Sequence, residues 1–332
     1  MFFVFFLFNI LPADPARMTM GQRADVASIE AVRAELYLDK PKSVQFAYYV
    51  NDISPISIYK DSDKNKSKYK YSKLFSIGEN AIVLKKPYLR RSYQNKREVW
   101  EILTSALPKT LVLALGSITL ASIIGIIFGV FSAINRNTWL DDSILVTSIL
   151  GISQPSYFVG VVFALVFGYL LADYTGLNYS GSLWEIDDYG NEVIVWKNLI
   201  LPTLALGIRP IAIITMLTRS SMLDVMDQDY VRTAKAKGLS YWTVIFKHTL
   251  RNALNPVLTA ISGWFAGLLA GSFFIEIIFD FKGLAYYTIK AIETLDFPVV
   301  MGSVLFIATI FITINILVDI LYGILDPRMS YE

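Results

Sequence analysis

An all-α membrane bundle is the fold class this sequence predicts, and three observations predict it. Hydrophobic residues make up 54% of the 332-residue chain and charged residues only 17%, where a soluble domain carries about a quarter charged; mean hydropathy is +0.48. The apolar residues fall in long blocks. Five of them, roughly 110–134, 144–172, 199–218, 254–279 and 299–325, reach the ~20 residues that cross a hydrocarbon layer about 30 Å thick. Of the connections between blocks, 219–253 is basic and 173–198 acidic, the contrast from which membrane topology is read.

The chain opens on Met1 to Leu11, apolar but about half a span long. No basic segment precedes it and no small-x-small cleavage site follows, so a signal peptide fits poorly. The preferred reading is the outer half of a first spanning helix, residues 1–12, whose beginning is missing. Residues 13–105 form a separate region: a short helical stretch over 24–50, then a polar Lys/Tyr-rich insertion over 51–86. Its centre, Lys60 to Lys70, reads as a solvated loop or hairpin tip.

In the block 110–134, Ser117, Ser122, Gly125 and Gly129 form a stripe of small residues, the usual mark of a packing face between membrane helices. Pro155 lies inside the second block, where it removes a backbone hydrogen bond and predicts a break. Arg209 with Pro210 predicts an interruption of 199–218, with the charge facing a water-filled cavity, a partner or an ion-pair partner. Glu276 lies near the outer end of 254–279; an ionisable group at membrane depth is a candidate pathway or gating residue, and a solvated interfacial position is the plain alternative.

The 219–253 connection carries Arg219, Arg232, Lys235, Lys237, Lys247 and Arg251 against Asp224, Asp227 and Asp229. The 173–198 connection carries Asp173, Glu185, Asp187, Asp188 and Glu192 against Lys197. The basic connection belongs in the cytoplasm. Alternation then puts 135–143 and the C-terminus inside, and 13–105 and 280–298 outside.

Catalytic chemistry finds no purchase in this composition. With no cysteine and a single histidine, His248, no thiolate or multi-histidine metal site is possible within one chain. The phosphate-binding Gly-x-x-x-x-Gly-Lys-Ser/Thr loop, His-Glu-x-x-His and Gly-x-Ser-x-Gly are all absent from the sequence. No cofactor is expected on this chain, and any ATP that drives it is bound elsewhere.

The most informative stretch runs from Gln228 to Pro256. Asp227 or Asp229 is placed to cap a helix running through Lys237, Gly238 to end it in the left-handed conformation, and Ser240 to cap a second helix reaching about Asn252. Physical chemistry alone leaves two readings open, a helix–glycine–helix that inserts into a partner's groove and a basic amphipathic loop lying on anionic lipid.

This stretch, Asp229-Tyr230-Val-Arg232-Thr233-Ala234-Lys235-Ala236-Lys237-Gly238-Leu239-Ser240, resembles the cytoplasmic signature loop of ABC importer permeases in the form used by oligopeptide, dipeptide and nickel permeases. Other segments resemble the same family in order: Leu11-Pro12-Ala13-Asp14-Pro15, Arg33 to Pro41, Leu107-Pro108-Lys109-Thr110, Ser153-Gln154-Pro155-Ser156-Tyr157-Phe158, Glu276 with Phe279 and Gly283-Leu284, and Asp326-Pro327-Arg328. Lys282 and Ala285 depart from it, standing where the family has proline and glycine.

The resemblance implies a type I ABC importer bundle of six helices, the first truncated here, and a loop that couples to an ATPase. It also implies a second homologous permease, two cytoplasmic ATPase subunits that use ATP, an extracytoplasmic substrate-binding protein and a place in the bacterial cytoplasmic (inner) membrane. The implied cargo is an oligopeptide or dipeptide. Nickel or another small solute, and a self-sufficient carrier or channel, are the alternatives.

Overall fold

The computed structural model describes Phe2, Phe5, Phe6, Glu30, Arg33 and residues 37–325. The partial first helix is described only at three phenylalanines, the expected 24–50 helix up to residue 36 only at Glu30 and Arg33, and Asp326-Pro327-Arg328 lies outside the described residues. Internal contacts divide the chain into two compact units, Met1–Leu107 with Tyr287–Thr309, and Pro108–Tyr286 with Ile310–Glu332.

In the first unit, α1 (Lys42–Ile53) leads into β1 (Ile56–Lys60), α2 (Asp63–Tyr69), β2 (Ser72–Ile77) and β3 (Asn80–Leu84). The strands form an antiparallel sheet in the order β1-β3-β2. Residues 60–70, read as a solvated loop or hairpin tip, are mostly exposed and join two strands, but carry a short helix, and the strands around them form a sheet that was not expected. The reason lies in the alternation of lysine with tyrosine: Tyr59, Tyr69 and Tyr71 turn inward with Ala81 and Val83 to make a small core, while Lys64, Lys66 and Lys70 stay in water. The Tyr59 and Tyr69 rings stack at 4.1 Å. Ser62 caps α2 by accepting from the Asn65 amide at 3.3 Å, and Lys70 ends it in the left-handed region with φ +48°. At the outer side of β1, the Asn51 side chain both donates to the Ile58 carbonyl (3.0 Å) and accepts from the Ile58 amide (2.9 Å).

Beneath the sheet, Asp52 is buried and accepts from the Tyr59 hydroxyl at 2.9 Å. Lys85, also buried, donates from Nζ to the Asp52 carbonyl and lies 5.7 Å from both the Tyr59 and Tyr69 ring centres. Burial pushes the Lys85 ammonium down to about 8, with Asp52 opposing the shift. Burial also raises Tyr59 and Tyr69.

The second unit is helical apart from a small hairpin, β4 (Trp184–Ile186) with β5 (Glu192–Ile194). Its helices include the greater part of α3 (Val99–Ile134), then α4 (Trp139–Ser153), α5 (Ser156–Leu165, prolonged by a π-turn over Val166–Leu170), α6 (Lys197–Met226), α7 (Asp229–Ala236), α8 (Arg251–Gly271) and α9 (Phe273–Ile278). Two further helices, α10 (Leu284–Glu293) and α11 (Phe297–Leu325), follow.

Among the described residues, three helices, Val99–Ile134, Lys197–Met226 and Phe297–Val318, are long and apolar enough to cross a membrane, and the bent pair α4–α5 makes a fourth if taken as one span. The bend is 104° and sits at Pro155, as the sequence predicts. Gln154 is extended with ψ 134°, the conformation a following proline imposes.

Two expectations fail. No interruption occurs at Arg209–Pro210: α6 runs unbroken through Pro202 and Pro210, because neighbouring helices support a proline-containing turn in an apolar bundle. Nor does one helix cover 254–279; α8 and α9 meet at Ser272, where Glu276 is drawn into a buried polar cluster.

The small-residue stripe is a packing face. A Cβ on Gly125 would stand 2.7 Å from Ile214 Cγ2, and one on Gly129 would stand 2.5 Å from Thr218 Cβ and 2.7 Å from the Thr215 carbonyl. Only hydrogen fits where α3 crosses α6. Leu113, Ala121, Leu201, Ala205 and Ile214 continue this contact into the main core.

Gly129→Ala should therefore destabilise the solubilised protein by about 1–3 kcal/mol through overpacking, measured by thermal or denaturant unfolding in detergent. Gly263→Ala, at a site where a Cβ meets nothing within 4 Å, should change it little. For Lys85, a folded pKa of about 8 lies below the ordinary 10.5, so the unfolded chain binds more protons between those values and stability rises with pH there. The raised tyrosines oppose this above pH 10. The melting temperature should climb from pH 7.5 to 9.5, and Lys85→Met should flatten that climb.

Candidate functional site

The stretch from Met222 to Asn252 is built by local sequence rules. Gln228 occupies the position before α7 with extended backbone (ψ 147°) and no side-chain cap. The expected Asp227 or Asp229 cap is not formed: Asp227 closes α6, and Asp229 is the first helical residue, where its charge faces the positive end of the helix dipole. Asp229 pairs with Arg232 at 3.6 Å, but both are highly exposed, so the pair adds little stability.

Gly238 ends α7 as the sequence predicts. Its φ is +76°; its amide donates to the Lys235 carbonyl at 3.0 Å and the Leu239 amide reaches back to Ala234 at 3.4 Å, the pairing of a Schellman stop. Ser240 then caps the next turn, accepting from the Thr243 amide at 3.4 Å.

The second helix differs from expectation. Its opening turn, Tyr241–Thr243, does not lead to an end near Asn252 but passes through a π-turn, Val244–Leu250, directly into α8. The wide turn lets consecutive side chains serve two cores. Val244 packs with Val231 and Ala234 of α7, and Ile245 packs with Val130, Ala133 and Met222. The Asn252 amide donates to the Tyr230 hydroxyl at 3.1 Å, tying α7 to the start of α8.

One face of α7 is thus seated and the other is free. Val231 and Ala234 are buried, whereas Tyr230, Arg232, Thr233, Lys235, Ala236, Lys237, Gly238, Leu239 and Ser240 are exposed. Beside them, Trp242 lies between Tyr241 (5.4 Å) and Phe246 (5.7 Å, stacked), and all three rings are exposed. A basic surface with an aromatic ledge results. His248 is half-buried, and its carbonyl accepts from Asn252 at 2.9 Å.

The other candidates lie apart from this stretch in sequence. Pro155 begins α5. Arg209 is exposed on α6 and forms no ion pair among the described residues. Glu276 is not solvated but wholly buried. Thr110 and Ser272 donate to its Oε1 at 2.8 and 2.9 Å, and the Tyr286 amide donates to its Oε2 at 3.0 Å. The Leu284 amide in turn donates to Thr110 at 2.8 Å, and a Cβ on Gly283 would stand 2.5 Å from the Thr110 hydroxyl. Leu107-Pro108-Lys109-Thr110 and the Glu276–Leu284 segment therefore converge on one carboxylate.

Sequence reasoning also missed a buried carboxylate elsewhere in the second unit. Asp141, at the start of α4, takes two bonds of 2.7 Å from the Arg219 guanidinium of α6. The partners stand 78 positions apart, beyond any local pattern. The Thr138-Trp-Leu-Asp-Asp run at a helix start was the one available signal.

The family described as binding-protein-dependent transport system inner membrane component matches residues 125–331, and the description of its N-terminal part matches residues 1–114. The di/tripeptide transport system permease protein DppB of Pseudomonas aeruginosa is 33% identical over 99% of this chain and 93% of its own. The dipeptide transport system permease protein DppB of Bacillus subtilis is 33% identical over 98% and 91%. In fold, the chain resembles the inward-facing MetNI methionine ABC transporter with a TM-score of 0.55 at 14% identity, covering 68% of this chain and 97% of that one. On the sequence matches, this chain belongs to the binding-protein-dependent transport system inner membrane component family, the membrane permease subunits of ABC importers.

Proposed function

We propose that this chain carries short peptides, oligopeptides or dipeptides, into the bacterial cytoplasm as one permease subunit of an ATP-driven importer in the cytoplasmic (inner) membrane. The observation that carries the mechanism is α7: a short helix seated on Val244 by Val231 and Ala234, with its basic face and the Trp242 ledge exposed. The relatives' names supply the cargo.

In this reading the exposed face of residues 229–240 docks in a groove on a separate ATPase subunit, which binds the ATP. Two such ATPases serve this chain and a second, homologous permease, and an extracytoplasmic binding protein delivers the peptide. The sequence holds no phosphate-binding loop of its own. The basic 219–253 stretch lies in the cytoplasm by the excess of Lys and Arg. ATP-driven movement of the ATPases displaces α7, and α6 and α8 carry that displacement into the bundle. A ligand shifts such an equilibrium only by its differential affinity for the two states; the α7 face therefore stays engaged in both.

Copurification tests the assembly. The tagged chain, extracted in mild detergent from its own membranes, should bring down a homologous permease and ATPases, and vesicles holding the complex should take up labelled dipeptide only with ATP. Recovery of the intact chain alone, transporting without ATP, would overturn the proposal.

Gly238→Asp tests the coupling face. A Cβ there meets nothing within 4 Å, and aspartate tolerates the left-handed conformation better than most residues, so the subunit should still insert and assemble. Peptide uptake should fall at least tenfold, with ATP hydrolysis continuing. Unchanged uptake would remove α7 from the coupling role.

A further inference from the structure

We propose that Asp141 and Arg219 form the positioning pair through which displacement of α7 reaches the α3–α4 hairpin. The proposal rests on the coupling role of residues 229–240 and adds a route beyond it.

The Asp141 carboxylate is saturated. Arg219 Nε donates to Oδ1 and Nη2 to Oδ2, each at 2.7 Å. The Ser132 hydroxyl, from the last turns of α3, donates to Oδ1. The Asn137 amide donates to Oδ2 at 3.0 Å, from a connecting turn in which Asn137 holds φ +62°. One carboxylate thus gathers the end of α3, the turn after it, the start of α4 and the side of α6. The Asp141 side chain is 2% exposed and that of Arg219 20%; water competes little for these bonds.

Position gives the pair its role. Arg219 lies roughly two helical turns before the end of α6 at Met226, and α7 starts at Asp229. A pull on α7 acts first on that end of α6. Further along, α4 and α6 pack again at Gly151, where a Cβ would stand 3.4 Å from Ala212 Cβ. An open groove of about 500 Å³, lined among others by Ile144, Thr147, Ser148, Ile211 and Thr215, runs along the two helices. The bidentate pair is the polar link between α6 and α4 at this end, and it adds a fixed direction to their apolar packing. Arg suits this use, since its planar fork fixes direction as well as distance.

The test is the number of peptides imported per ATP hydrolysed by the assembled importer in vesicles. Asp141→Asn and Arg219→Lys should each lower that ratio at least fivefold, at an amount of assembled complex matched to the unaltered protein. Because the chain has no cysteine of its own, a second variant closes the argument. Asp141→Cys with Arg219→Cys should show the same low ratio, and a short thiol-reactive cross-linker bridging the two positions should restore it.

A proportional fall of uptake and hydrolysis at constant ratio would overturn the proposal, leaving the pair a stabilising contact only. So would a ratio that stays low after the bridge is verified by mass spectrometry. Gly238→Asp measured alongside separates the two ideas. If it leaves the ratio unchanged, the coupling reading fails whatever the pair does; if it lowers the ratio and the pair variants do not, the pair alone is removed.

Discussion

The close approach of α3 to α6 is the constraint on which the larger unit depends. Inside a bilayer, burial of apolar surface no longer drives helices together, since lipid tails are as apolar as leucine. Association then rests on the fit of one helix against another. Gly125 and Gly129 supply that fit by removing side chains where Ile214, Thr215 and Thr218 pass. With the two backbones this near, α6 becomes the central helix: α4 and α5 pack on it as well as α8, and the main core grows along it. Proline at 202 and 210 is absorbed in that setting, because the helix is held from several sides rather than by its own hydrogen bonds alone.

Two buried carboxylates then fix the connections. Glu276 binds the chain after α9 to the α3 segment at Thr110, and Asp141 binds the α3–α4 turn to α6. Each is completely supplied with donors, as a carboxylate in a poorly hydrated place must be. Both lie in the first turn of a helix, Asp141 in α4 and Glu276 in α9, close to breaks where free backbone amides are at hand.

Local chemistry was legible in the sequence and distant pairing was not. Pro155 announced a break because its ring excludes the preceding turn. Gly238 and Ser240 announced a stop and a start because each satisfies backbone groups within a few residues. Gly125 and Gly129 announced a packing face, though not which helix would fill it. The fate of Glu276 was hidden, since its donors come from 110, 272 and 286. The π-turn at 244–250 was hidden too: it answers to two cores that a linear pattern does not separate. Within residues 56–84, lysine density masked the tyrosines that build the sheet's core, so charge outweighed alternation. Arg209 misled for the opposite reason, its charge suggesting a break in a helix that its neighbours hold intact.

The pairing of Asn51 with Ile58 has a consequence for what the small sheet can become. A strand edge offers a row of donors and acceptors that another chain can extend. On the β1 side the Asn51 amide already fills that role with its own donor and acceptor, while β2 on the far side carries no such cover among the described residues and is exposed along its length. A sheet blocked on one side accepts at most one neighbour and then stops. Two such sheets meeting through their open edges would form a closed pair, not a growing fibre. Asn51 is in this sense a chain terminator, limiting growth in a lysine-rich segment.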